Sequence, residues 1–99
     1  MFKTIINHRA ALVNDFLSGW TIYHRQSSLV AYIAVNPEND TLFIQFNNST
    51  CFVYKDVPVD LIRQATTTVN IVNFYIQYIK GIYRPEAIES HCIDSGVEA

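Results

Sequence analysis

Three apolar runs of strand length follow one another, Leu29–Val35 (LVAYIAV), Thr41–Phe46 (TLFIQF) and Cys51–Lys55 (CFVYK), and the residues between them are of the kind that turn a chain. Asn36-Pro37-Glu38-Asn39-Asp40 combines a ring that presets one dihedral with Asn and Asp side chains that bond back to their own backbone. Asn47-Asn48-Ser49-Thr50 turns the chain again. β-branched and aromatic runs joined by turns this short predict a three-stranded antiparallel meander. Alternation sets the faces: Leu42, Ile44 and Phe46 point one way, and Thr41, Phe43 and Gln45 the other. Phe52 and Tyr54 share one side of the third strand, and a five-residue loop or a bulge would place them with Phe46. The first run is apolar on both parities, which predicts a strand covered on two faces.

After the third strand the period changes. Pro58 suits the first position of a helix, where its missing N–H would have had no partner, and Asp60 adds a negative charge near the positive end of the helix dipole. A short helix from Val59 to about Ala65 is expected, broken by Thr66-Thr67-Thr68, with Asn70 capping a longer one. In that longer helix Ile71, Val72, Phe74, Tyr75, Ile76, Tyr78, Ile79 and Ile82 occupy an arc of about 200°, against a stripe of roughly 100° or more on an ordinary surface helix. It therefore wants cover from two directions. The sheet supplies one, and either the N-terminal segment or another protein must supply the other. Ahead of the strands, Asn7 can cap a helix through HRAALVNDFLS, with Ala11, Leu12 and Phe16 at helical spacing and Gly19 placed to end it.

Ninety-nine residues make a single domain. Apolar residues are 49% of the chain and charged residues 16%, well below the roughly 25% charged of ordinary soluble domains, which argues for extensively covered surface. No run of eighteen or more apolar residues occurs, so no bilayer-spanning helix is expected. The start, MFKTIINHRAALVNDF, lacks the unbroken apolar core of a secretory signal, and a cytoplasmic setting is inferred. In that setting Cys51 and Cys92 are expected as thiols rather than a bridge. Net charge is −2; residues 1–85 carry seven basic and five acidic side chains and the remainder four acids and no base. A nucleic-acid binder normally shows a broad basic stripe, which these counts are too low to supply.

The residues for catalysis are few. His8, His24 and His91 form no recognisable pairing with a nucleophile, and adjacent His91 and Cys92 cannot build a four-ligand zinc site. Asp56 and Asp60 flank Pro58 at a helix start, where capping and dipole effects account for them. No phosphate-binding loop, nucleophile elbow or metalloprotease motif is present. No enzyme activity, cofactor, metal or small-molecule substrate is therefore expected.

Several motifs occur in order between Ser27 and Pro85: the pair Ser27-Ser28, the run DTLFIQF, the aromatic pair around Val53, Asp56-Val57-Pro58 and the closing YIKGIYRP. Together they resemble the KTSC domain, a module found at the C-terminus of some lysyl-tRNA synthetases and as a stand-alone bacterial or phage protein. Two departures stand out. The family's Tyr-x-Tyr is Phe52-Val53-Tyr54 here, and its Ser-x-Gly before the last helix is Asn70-Ile71-Val72. The association with synthetases implies RNA, tRNA or another structured RNA, as one class of partner.

The expected fold is α+β: a three-stranded antiparallel meander with a short helix and a longer C-terminal helix packed on it, plus an extra N-terminal helix. The organisation reads as an N-terminal helical extension (1–26), a KTSC-like domain (27–85) and an acidic tail (86–99), frayed or lightly docked. The expected function is non-catalytic protein binding, with self-association as a dimer, through Trp20, Phe43, Val53, Phe74, Tyr75 and Tyr78. On this reading the chain is a bacterial or phage adaptor or inhibitor. The alternative is RNA binding through Tyr54, Lys55, Arg63, Lys80 and Arg84. Phe46, Phe52 and Tyr54 would then stack bases; otherwise they form core beneath the last helix. Phe43 and Val53 are covered either by the N-terminal segment or by a partner.

Overall fold

Every residue of the strand Thr41–Phe46 is buried, so this strand is covered on both faces, and its two covers define the architecture. The computed structural model describes residues 2–6, 9–13, 15–25, 27–36, 38–88 and 93–94. Among these residues eight strands form two antiparallel sheets: β1 (Phe2–Ile6), β2 (Arg9–Val13), β3 (Thr21–His24), β4 (Val30–Asn36), β5 (Thr41–Phe46), β6 (Cys51–Tyr54), β7 (Pro85–Ala87) and β8 (Ile93–Asp94). The larger sheet has the order β3-β4-β5-β6-β7 and the smaller β1-β2-β8. Helix α1 (Val59–Thr67) and helix α2 (Ile71–Phe74), which runs on into a π-helical turn at Tyr75–Ile79, pack on one face of the larger sheet. Residues of the smaller sheet pack on the other. The expected α+β arrangement is therefore corrected: the fold is mostly β, with two sheets and two short helices, not a three-stranded meander under a long C-terminal helix.

The three apolar runs form β4, β5 and β6, but as the middle of five strands. β3 adds to β4 from Thr21↔Val35 to His24↔Tyr32, and β7 adds to β6 from Phe52↔Ala87 to Tyr54↔Pro85. Pro85 lies on an edge strand, where a missing N–H removes no ladder bond. Face assignment follows strand parity. Leu42, Ile44, Phe46 and Tyr54 join Ile33 and Val35 under the helices, while Phe43, Cys51 and Val53 join Tyr32 and Ala34 under the smaller sheet. Val30 breaks the parity of β4 and lies on the helical side, because the register shifts between Val30 and Tyr32; one extra residue in a strand reverses its faces. Ser27 sets the entry to β4, its Oγ accepting from the Val30 N–H at 2.9 Å, and Asn47 Nδ2 donates to the Ser27 carbonyl at 2.8 Å.

The expected N-terminal helix is a β-hairpin followed by a single 3-10 turn at Asp15–Leu17. β1 and β2 pair from Phe2↔Val13 to Ile6↔Arg9. Ile6, Ala11 and Val13 face the larger sheet, and Lys3 and Ile5 face outward. The run Ala11-Leu12-Val13 is too short to separate a helical period from a strand period. What decides is the apolar surface opposite, where Tyr32, Phe43 and Val53 present a sheet face that a second sheet covers at the usual ~10 Å spacing. Thr4, Ile5 and Ile6, ahead of the expected helix, are β-branched and suit the partner strand, and Val13 within it loses rotamer freedom in a helix. Gly19 does end a turn, with a positive φ of 85° that a side chain would strain.

On the other face, Ile62 and Ala65 of α1 point inward. Thr66 and Thr67 donate their hydroxyls to the Arg63 carbonyl at 2.7 and 3.2 Å, back-bonding that closes the helix two residues beyond its expected end. Asn70 caps α2, its Oδ1 accepting the Asn73 N–H at 3.0 Å. The longer helix predicted to follow is instead one α-turn plus one π-turn, marked by the Lys80 N–H donating to the Tyr75 carbonyl at 2.8 Å. Ile71, Phe74 and Ile79 are its buried residues. Because the wider turn spaces Phe74 and Ile79 five apart on the sheet side, Tyr78 moves to the margin. Within the tail, Ile93 is buried between the sheets and held as β8 against β2.

Candidate protein-interaction surface

The smaller sheet and the 3-10 turn cover one face of the larger sheet, so they are not available to cover the helices on the other. The outer side of the helical layer is left open. Over the seven residues from Ile76 to Ile82, Ile76 is 54% exposed, Tyr78 39% and Ile82 62%, while Val72, Tyr75 and Tyr83 are half-buried against the core. Tyr78 leans on Phe74 with ring centroids 5.5 Å apart. Gly81, at φ 77°, turns the chain after the helix, and the Ile82 and Tyr83 N–H groups both donate to the Ile79 carbonyl at 3.1 Å.

A shallow hollow of about 670 Å³ adjoins this segment, lined by Lys55, Asp56, Arg84 and Glu86 together with Ile82, Tyr83 and Pro85. Its two cations and two anions offset one another, and Lys55 Nζ lies 3.2 Å from Glu86 Oε2. A polar, charge-balanced hollow beside exposed apolar side chains has the character of the rim of a protein interface.

Beneath the helices lies an aromatic network. Phe46 meets Tyr75 at 5.3 Å and Phe52 at 5.9 Å, both edge to face, and Tyr54 meets Tyr75 at 6.5 Å. Tyr54 is 2% exposed, so its ring is core and not a platform for bases. Burial, reinforced by its hydrogen bond to Tyr75 and the charge of that neighbour, pushes the Tyr54 phenol far above its ordinary value. As pH rises past about 10, Tyr54 in the unfolded chain releases its proton while the folded one keeps it, so its stabilising contribution, intact at neutral pH, drains away. Urea unfolding measured from pH 8 to pH 11 is expected to show stability falling at the alkaline end. Tyr54→Phe should flatten that fall at a cost of about 1 kcal/mol for the lost hydrogen bond; an unchanged alkaline slope would show that Tyr54 is not its source.

The remaining residues singled out from the sequence are dispersed. Phe43 and Val53 lie between the two sheets and Phe74 lies under α2, all buried. Tyr75 is half-buried, and Tyr78 reaches the surface. Trp20 is on the opposite side of the larger sheet, half-buried, 5.5 Å from Phe16 and lining a cleft of about 190 Å³ with Lys3, Leu17 and Ile22. Lys55 and Arg84 share the hollow, Arg63 sits on α1 with its Nη1 3.7 Å from Asp60 Oδ1, and Lys80 is exposed at the end of the π-turn. His8, His91 and Cys92 lie outside the described residues. Among the described residues no group of three or more His, Cys, Asp and Glu side chains comes together, and no helix is long and apolar enough to cross a membrane. Gln45, buried near the end of β5, is a functional candidate that the sequence reading missed; its signal is a long polar side chain on the same strand face as Phe43.

The KTSC domain model matches residues 26–83, more than half of the chain. The chain belongs to the KTSC domain family. A crystal structure of a KTSC domain protein from Yersinia pestis is similar to it, with a TM-score of 0.66 at 26% identity over 71% of this chain and 99% of that one. No curated protein matches the chain. Within this KTSC chain the matched segment holds β4, β5, β6 and the helical layer, while β1, β2, β3, β7 and β8 fall outside it. The open helical surface thus belongs to the KTSC segment, and the cover on the opposite sheet face is formed by residues beyond it.

Proposed function

We propose that this KTSC chain is a small non-catalytic binding module that acts through protein–protein contacts, as an adaptor or inhibitor in a bacterial or phage-infected cytoplasm. One observation carries the reading: Ile76, Tyr78 and Ile82 remain exposed within seven residues although both faces of the larger sheet are covered from within the chain. Single exposed apolar residues are ordinary, but a group on one segment marks a contact site. RNA is the less favoured partner, because Tyr54 is buried and the hollow containing Lys55 and Arg84 is charge-balanced.

Affinity capture from lysate with the tagged chain and with its Ile76→Asp, Ile82→Asp variant tests this. A partner protein is expected to be retained after nuclease treatment and at raised salt, and lost at least tenfold with the variant, since a desolvated apolar contact loses more than 1.4 kcal/mol (about tenfold) to a carboxylate. Both substitutions are at exposed positions, so the variant should keep its unfolding midpoint. Release of everything by nuclease, with a steep salt dependence, would replace the protein reading with RNA.

A further inference from the structure

Gln45 is a buried glutamine whose amide is committed to one residue of the C-terminal strand. Its Nε2 donates to the Ile93 carbonyl at 2.9 Å and its Oε1 accepts the Ile93 N–H at 3.0 Å, with the Cys51 Sγ 3.6 Å from the same oxygen. The amide does for Ile93 what a neighbouring strand would do, satisfying one backbone donor and one acceptor. On its other edge β8 pairs with β2, Leu12↔Asp94 and Val13↔Ile93. The Ile93 side chain enters the core between the sheets, beside Ile6, Val13 and Val53. A slot built this way reads the backbone of an extended segment and selects a branched aliphatic side chain by shape, which is recognition by strand addition.

We propose that the slot between β2 and Gln45 is a strand acceptor, and that its occupant in trans is the C-terminal strand of a second copy of this chain. Each copy carries one slot and one strand already shown to fit it. The strand is two residues long and buries one described side chain, so its release is a local opening well short of global unfolding. Reciprocal exchange restores every hydrogen bond and the same buried isoleucine, leaving mainly the entropy of association to oppose it. The slot is on the opposite face of the larger sheet from the helical surface, and this inference does not rest on the reading of that surface.

The test uses a fluorescent peptide of residues 88–99 and the full chain carrying Ile93→Asn, which weakens the resident strand. Saturable binding is expected, about tenfold or more tighter than to the unsubstituted chain, because the tethered strand otherwise competes at high effective concentration. Adding Gln45→Leu should abolish it. Absence of binding to a chain that circular dichroism shows folded, or binding indifferent to Gln45, overturns the proposal. If the Ile93→Asn chain does not fold, the decision passes to the otherwise intact chain with Leu12→Cys and Asp94→Cys on a Cys92→Ser background, oxidised over a range of concentrations. A covalent dimer whose share grows with concentration supports exchange, and cross-linked monomer at every concentration rules it out.

Discussion

Phe43→Ala is expected to lower the free energy of unfolding by about 3–5 kcal/mol, the range for emptying a fully enclosed aromatic site. Phe43 is 0% exposed, on the central strand of the larger sheet, paired with Ala34 on one side and Val53 on the other and roofed by the smaller sheet. Neither neighbour can collapse into the space without breaking its own ladder, so the cavity term adds in full to the lost transfer energy. Urea denaturation followed by far-UV circular dichroism measures the shift. A domain of this size has about 5–15 kcal/mol in all, so the variant should lie near the edge of stability at 37 °C. A loss below about 1 kcal/mol would mean that the two sheets do not enclose this ring.

The second large effect is expected from removing residues 1–19. This takes away Ile6, Val13 and Leu17, each worth about 1.5–3 kcal/mol of burial, and leaves β8 without the strand it pairs with. The face carrying Tyr32, Ala34, Phe43, Cys51 and Val53 then meets water. The shortened chain should bind a hydrophobic dye, self-associate at micromolar concentration and lose cooperative unfolding. Sedimentation and dye fluorescence provide the readouts. A shortened chain that stays monomeric, with its midpoint unmoved, would show that the larger sheet tolerates an open face and that the hairpin is dispensable cover.

Both changes act on the core between the two sheets, away from the helical surface. Both concern the face that the chain covers for itself, and neither should alter capture through Ile76 and Ile82 except by unfolding. The separation follows from the layer order: helices, larger sheet, smaller sheet. A side chain on β5 reaches one outer layer or the other according to its parity, and Phe43 and Ile44, adjacent in sequence, serve opposite cores.

Local chemistry was enough to place β4, β5 and β6, to sort the side chains of β5 and β6 between two faces, to start the helical layer near Pro58 and Asn70 and to recognise the KTSC segment. These features depend on turn residues, alternation and capping, all of which act within a few positions. Tertiary contacts decided the rest. Whether Ala11-Leu12-Val13 becomes helix or strand depends on a flat apolar face contributed by β4, β5 and β6, and β8 forms only because β2, near the other end of the chain, and Gln45, 48 residues from Ile93, pair with it. The π-turn answers to the sheet beneath it, which takes Ile79 inward and leaves Tyr78 at the rim. A period of two or of 3.6 states which side chains share a side; what lies on that side is settled by residues remote in sequence, because burial is a property of the assembled layers.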